Sequence, residues 1–228
     1  MNIQLTWATP NAEELIVKMA RVSAPKNQDN MDTAPRLLRY LIKHKHWSPF
    51  EMANMCVEIE TTRAISPQIL RHRSFSFQEF SQRYADTSEL GPAVIPHLRR
   101  QDHTNRQNSI DDLSSEAIAN YYRRISELYE NAEHLYREMV SNGVAKECAR
   151  SILPLSTQTR LFMNGTLRSW IHYLQLRCEP GTQFEHRQIA DRIKTIFCKE
   201  FPSSEKQPLQ KTEELDKWRS EGRGALFF

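Results

Sequence analysis

The sequence predicts an α+β protein, a mostly antiparallel sheet with long helices packed against it. Three observations carry this. Segments with apolar residues at three- and four-residue spacing outnumber segments that alternate. The few alternating segments do not interleave with helices in the strict order that a parallel sheet requires. Glycine occurs 6 times in 228 residues, and neither GxGxxG nor GxxxxGK[ST] is present, so a Gly-rich phosphate loop is not expected.

The elements follow in chain order. Residues 2–8 alternate loosely, with Ile3, Leu5 and Trp7 on one side of an expected strand. Pro10 and Asn11 break it, and Asn11 is placed to cap a helix over residues 11–22 with Leu15, Ile16 and Met19 on one face. Residues 23–30 are turn-like. Leu37, Leu38 and Leu41 give a helix over 33–44, and a loop with a proline follows over 44–51. Met55, Val57 and Ile59 alternate with Glu58 and Glu60, the pattern of a half-buried strand over 52–62. A short helix over 64–70 takes Pro67 in its first turn. Residues 82–92 read as extended, and the basic, His-containing stretch 96–108 reads as a mobile surface loop. The clearest helix starts at Ser109, where Ser109-x-x-Asp112 resembles a capping box. Its stripe of Ile110, Leu113, Ala117, Tyr121, Ile125, Leu128, Ala132, Leu135 and Met139 is expected to face the core, and Asn142-Gly143 stops it. A short helix over 145–151 precedes Pro154. Residues 155–163 form an expected strand, Asn164-Gly165 a turn, and Thr166 the cap of a helix to Arg177. Pro180-Gly181 ends that helix, and a final long helix covers 182–200. The tail from residue 202 is polar and charged, with apolar residues 225–228 at its end.

A chain of 228 residues suits one domain over 1–228, and its 39% hydrophobic and 26% charged content is that of a globular protein. The net charge of +3 fits small anionic ligands and falls short of a nucleic-acid face. Cys56, Cys148, Cys178 and Cys198 form no CxxC pair, so free thiols in a reducing compartment are expected and no metal site is. No leader and no membrane span is expected, which places the protein in the cytoplasm.

One segment concentrates chemistry. RHRSFSFQEFSQR, residues 71–83, holds three arginines, one histidine, one glutamate and three serines among Phe75, Phe77 and Phe80. Arginines supply bidentate donors for phosphate or carboxylate, and the aromatics suit flat rings. An RHR triplet alone is more often a solvated patch. Stacking aromatics also fit a nucleic-acid binder that draws on the basic loop from His97 to Arg106.

The wider pattern decides between these. Arg71-His72-Arg73, seven residues and then Ser81 resemble the signature of the flavin-dependent thymidylate synthases (ThyX). The longer family pattern RHRxxSxNExSxRY is matched at Ser76, Glu79, Ser81, Arg83 and Tyr84, with Gln78 where the family has Asn. His46-x-Ser48-Pro49-Phe50-Glu51 resembles the family's HxSPFE loop, and Ala149-Arg150-Ser151-Ile152-Leu153-Pro154 its ARxxLP. The likeness covers roughly residues 23–200.

The resemblance implies reductive methylation of dUMP to dTMP, with FAD as hydride carrier, NADPH as reductant and 5,10-methylenetetrahydrofolate as carbon donor. It implies a homotetramer with shared sites. Gln68, Ile69, Leu70, Arg71, Glu79, Phe80, Ser81, Gln82, Arg83, Arg150 and Arg177 would bind dUMP. Ser48, Arg71, His72, Arg73, Glu79, Thr166, Leu167, Arg168 and His172 would bind FAD. His46 would lie near the nicotinamide or folate. Helical geometry adds that Arg168 and His172, four apart, share a face, while Arg177, nine beyond Arg168, lies about half a turn away. Arg177 is the expected catalytic group, stabilising an ionised uracil ring. Cys178 is not expected to act as a nucleophile. Gln183-x-Glu185 matches a family QxE, but a glutamate at a helix start is equally a dipole partner.

Overall fold

The computed structural model describes residues 2–204. Residues 205–228, with their apolar end, lie outside the described residues. The core is a four-stranded sheet of β1 (Asn2–Ala8), β2 (Asn54–Thr62), β6 (Gln158–Thr166) and β3 (Ser76–Glu79), in the order β1-β2-β6-β3 with every pair antiparallel. A two-stranded ribbon, β4 (Arg100–Gln101) with β5 (Ser109–Ile110), stands apart. The helices are α1 (Ala12–Ala20), α2 (Ala34–Lys43), α3 (Ser66–Leu70), α4 (Ser115–Ser141), α5 (Lys146–Ala149), α6 (Leu167–Arg177) and α7 (Phe184–Glu200).

Period-2 alternation sets the sheet's inner face. Met55, Val57 and Ile59 of β2 and Leu161 and Met163 of β6 are fully buried. Trp170 and Leu174 of α6 and Ile189 and Ile193 of α7 join them in one cluster. Trp170 also donates its indole N–H to the Met55 carbonyl at 2.8 Å, which ties α6 to the sheet without leaving a buried donor unpaired. Thr166 caps α6 as its sequence predicts, its hydroxyl accepting from the Ser169 N–H. Pro67 sits in the first turn of α3, and Gly143 takes φ +84° after α4, both as expected.

Several expectations are overturned. The register of β1 shifts between Leu5 and Trp7, so Trp7 leaves the Ile3–Leu5 face and is exposed. Asn11 precedes α1 in a left-handed conformation without a side-chain capping bond, and the helix buries Ala12, Ile16 and Val17 while Met19 is exposed. Residues 82–92 are not extended but form turns, with a 3-10 turn at Thr87–Leu90. The stretch 76–79 contributes the edge strand β3, a role the motif obscured. Helix α4 starts at Ser115 rather than Ser109, capped by Ser114. Ser109 is taken into the β4–β5 ribbon and Asp112 into an ion pair with Arg100, so the anticipated capping box cannot close.

The stripe on α4 does not face the core. Tyr121, Leu128 and Leu135 are exposed, and Tyr136 is the helix's buried side chain. The line one residue on, Tyr122, Tyr129 and Tyr136, meets the body of the chain. Tyr122 donates to the Pro96 carbonyl at 3.2 Å and Tyr129 to Ser156 at 2.9 Å.

Asn164 and Gly165 make no turn. Both pair with β2, opposite Cys56 and Met55. A strand glycine is required there because the Phe75 ring lies over it: a Cβ on Gly165 would sit 2.4 Å from Phe75 Cδ1. Phe75 is itself wedged against Trp170, with ring centroids 4.7 Å apart, so it cannot swing away. Gly165→Ala is expected to destabilise the fold by about 1–3 kcal/mol, an overpacking cost. Adding Phe75→Leu should recover part of that loss in urea unfolding. Equal midpoints for Gly165→Ala and the parent would contradict the close approach.

Candidate active site

Helix α6 is the spine along which the expected residues gather. Its first turn meets the 71–75 turn, where the Ser169 hydroxyl donates to the Ser74 carbonyl at 3.2 Å. Its last turn meets the same segment, where Arg177 Nε donates to His72 Nε2 at 2.8 Å. The Tyr173 ring packs edge-on against His72 between them, at 4.8 Å. The opposite face carries Arg168 and His172. Arg168 pairs with Glu51, and the His172 ring lies 4.7 Å from Trp47, so this face meets the loop that holds Ser48. The two-faced arrangement expected from residue spacing is the one observed.

Charge at the Arg177–His72 contact is settled by burial. Desolvation, reinforced by the Arg177 cation, pushes His72 down to about 4, so it is neutral at pH 7. Since Nε2 accepts from Arg177, the ring proton sits on Nδ1. The pair therefore carries one positive charge, on the guanidinium. Both terminal nitrogens of Arg177 are without a protein acceptor among the described residues. Burial and then Arg168 likewise lower His172.

Arg71 and Arg73 flank His72 and are exposed. Among the described residues, Arg71, Arg73, Arg150 and Arg177 have no carboxylate partner, whereas Arg63, Arg83, Arg99, Arg100, Arg160 and Arg168 do. Unpaired guanidiniums around one segment suit an anion.

The rest of the segment divides by role. Glu79 Oε1 accepts from Ser66 at 2.5 Å and Thr159 at 2.9 Å, and it pairs with Arg63 at 3.0 Å. None of these three partners was foreseen, because they lie on separate elements. Phe80 is held through its backbone, by Arg160 O and the Arg63 guanidinium. Gln82 is buried, and its Nε2 has no protein partner among the described residues. Gln78 is exposed. Arg83 pairs with Glu147 at 3.2 Å, and Lys146 donates to the Tyr84 carbonyl at 3.1 Å. These contacts bring Ser81–Arg83 to α5, three residues before Arg150.

Two expected residues offer little side chain to a ligand. Ile69 and Leu167 are buried in the core, and the Leu167 N–H is bonded to the Ala53 carbonyl. Leu167 also lines a small apolar cavity with Ile16, Leu38, Phe50, Ile171 and Phe197. The one acid there, Glu13, is engaged by the N–H and hydroxyl of Ser203, so this cavity has no free polar group to orient a substrate. The basic loop is neutralised from within, through Arg99–Glu185, Arg100–Asp112 and His97–Asp111. Those pairings offset the charge of Arg99 and Arg100.

Sequence reasoning missed Tyr173 and His186 behind Gln68 and left Gln183, part of the QxE match, without a role. His186 lies three residues before Ile189 on the buried face of α7, so helical periodicity marks it as a core position.

Comparison with known proteins places the sequence and the fold in one family. The sequence model of the family described as "Thymidylate synthase complementing protein" matches residues 4–203. A "Probable flavin-dependent thymidylate synthase" of Paramecium bursaria Chlorella virus 1 is 54% identical over 193 residues, 84% of this chain and 88% of the relative. A "Flavin-dependent thymidylate synthase" of Synechocystis sp. is 52% identical over 191 residues, 84% and 86% of the two. The fold is similar to the crystal structure of a UMP/dUMP methylase PolB from Streptomyces cacaoi bound with 5-Br dUMP, with TM-score 0.78, 27% identity, and 89% of this chain and 91% of that one covered.

Burial first, then Asp191, pushes the Cys178 thiol up to about 12, so it is no thiolate nucleophile at pH 7. Cys178→Ser should keep at least about half of turnover while Arg177→Ala loses about 100-fold or more, and near-total loss in the serine variant would contradict this. His72 and His186 are held down to about 4 and about 3, mainly by burial, from an ordinary 6.5. Between those values and pH 6.5 the unfolded chain binds protons that the folded chain does not. Their contribution is therefore complete above pH 6.5 and lost as pH falls through about 4 and about 3. Urea midpoints should drop from pH 7 to pH 4, and the drop should be shallower in His186→Asn.

Proposed function

This chain belongs to the flavin-dependent thymidylate synthases, and from that premise we propose how its residues divide the work. It is an enzyme that depends on a flavin and converts dUMP to dTMP. The flavin is FAD, which when bound supplies the hydride and is recharged by NADPH, with 5,10-methylenetetrahydrofolate as the carbon donor.

Uracil C5 is a weak nucleophile, and its attack on a one-carbon unit gains from negative charge at N3 and O4. Arg177 is the group that stabilises this charge. Its Nε is given to neutral His72, which aims the two terminal nitrogens outward as a fork for the uracil edge. This one contact carries the reading. Arg83, Arg150 and Ser81 hold the phosphate, and the unpaired Nε2 of buried Gln82 is available to a nucleotide oxygen. Gln68, Ile69, Leu70 and Phe80 shape the nucleotide's side of the site, Ile69 from within the core. Glu79 is fixed through Oε1 by Arg63, Ser66 and Thr159, which leaves its second oxygen for a ligand.

The residues fit FAD as well as dUMP. Among the described residues Arg71 and Arg73 have no carboxylate to neutralise them, and their turn meets the first turn of α6 through Ser74 and Ser169, so a pyrophosphate has two cations at hand. Ser48, Arg168 and His172 gather on the other face of α6, with Trp47 as a ring neighbour. Leu167 contributes packing rather than a polar contact, and His46 stands toward the nicotinamide or folate.

The homotetramer finds support in α4. Tyr121, Leu128 and Leu135 form an exposed apolar line seven residues apart, beside the tyrosines that bind the body of the chain. A second copy of the chain is its fitting cover. No helix among the described residues is long and apolar enough to cross a membrane. Four free cysteines suit the reducing cytoplasm.

Purified protein loaded with FAD should show a flavin absorbance band, run as a tetramer by light scattering, and form dTMP from dUMP when folate and NADPH are both present. Colourless protein that cannot be loaded and makes no dTMP would contradict the function. A monomer that still binds FAD tightly would contradict the shared site.

A further inference from the structure

Gln68 sits at one point of a hydrogen-bond chain that starts in the basic loop and ends in the core. Arg99 donates to Glu185 Oε1 at 2.7 Å. Gln183 Nε2 donates to Glu185 Oε2 at 3.0 Å. Gln68 Nε2 donates to Gln183 Oε1 at 2.6 Å. Gln68 Oε1 lies 3.4 Å from His186 Nδ1, and His186 Nε2 lies 3.1 Å from the Tyr173 hydroxyl.

The direction of this chain is forced. An ionised carboxylate only accepts. Burial alone raises Glu185, but the bonds from Arg99, its own backbone and Gln183 outweigh that and keep it ionised. Gln183 must therefore turn its amide nitrogen to Glu185 and its carbonyl to Gln68. Gln68 must then offer its nitrogen to Gln183 and its carbonyl to His186. The ring proton of His186 is on Nδ1, and Nε2 accepts from Tyr173. His186 is 0% exposed, so no water competes for either ring nitrogen.

We propose that Gln183 and His186 are positioning residues for dUMP, fixing which way round the Gln68 amide faces so that the nucleotide meets one donor–acceptor pattern. The proposal rests on the reading that Gln68 touches dUMP. A terminal amide held at one end alone can flip, and a flipped Gln68 would present a carbonyl where the substrate expects an N–H. The effect belongs to substrate affinity and leaves the chemical step alone.

The two ring nitrogens of His186 can be tested separately, because an asparagine places its side-chain nitrogen near Nδ1 and a glutamine near Nε2. FAD-loaded variants are compared by dUMP KM and kcat, and by the dUMP dissociation constant from calorimetry without folate or NADPH. Gln68→Ala should weaken dUMP about tenfold, and Gln183→Leu and His186→Gln should each do the same with kcat within about twofold. His186→Asn, which keeps the bond to Gln68, should weaken it by no more than about threefold. Gln183 is exposed, so its variant tests the relay without disturbing the core. If Gln68→Ala weakens dUMP but the Asn and Gln variants of His186 act alike, or Gln183→Leu is silent, the relay is refuted while the dUMP contact stands. If Gln68→Ala is itself silent, the contact fails and the proposal falls with it.

Discussion

The bond from Arg177 Nε to His72 Nε2 is the constraint on which the site depends. It joins the end of α6 to the turn that carries Arg71 and Arg73, segments about a hundred residues apart in sequence. A protonated histidine there would set two cations face to face. Burial removes that proton at neutral pH, so the same desolvation that packs the turn also makes it compatible with Arg177. One charge is left, on a guanidinium with two free nitrogens, and the turn holds two further arginines at the surface.

What holds the turn is aromatic packing rather than charge. Phe75 lies over Gly165 in β6 and against Trp170 in α6, and Trp170 is bonded to the Met55 carbonyl of β2. The 71–75 turn is thus pinned to a sheet strand and to the helix that bears Arg177. Such backing by rigid elements keeps a polar site in register. Glu79 extends the same logic along β3, where Arg63, Ser66 and Thr159 fix it from three other parts of the chain. Repulsion among clustered arginines is a cost that the core must offset, and bound anions would relieve it.

Much of this was legible in the sequence where a period ran unbroken. β2, α6 and α7 stand close to their expected bounds, Thr166 caps as expected, and the two faces of α6 follow from residue spacing. The fold class and the anion-handling segment were legible too, the first from periodicity and the second from residue types matched to a family pattern. Failures came where one tertiary contact outweighed a local signal. Asn164-Gly165 reads as a turn, but its glycine answers to a phenylalanine ninety residues earlier. Ser109 with Asp112 reads as a cap, but Arg100 claims Asp112 and Ser114 caps the helix instead. The apolar stripe of α4 was visible, but not that the chain's own body would take the neighbouring tyrosine line. His186 carried no motif, and the QxE match gave Gln183 no role, since their contacts exist only once α6, α7 and α3 are assembled.

The protonation of His72 tests the central claim most directly, by nitrogen-15 NMR of histidine-labelled protein across pH 7 to 4.5. The account predicts a neutral ring with its proton on Nδ1 at pH 7, still mostly neutral near pH 5 because its pKa is about 4. Replacing Arg177 by methionine should shift the Nε2 resonance, as its hydrogen bond is lost. An imidazolium signal for His72 at pH 6, or an Nε2 resonance blind to that replacement, would contradict the neutral pairing.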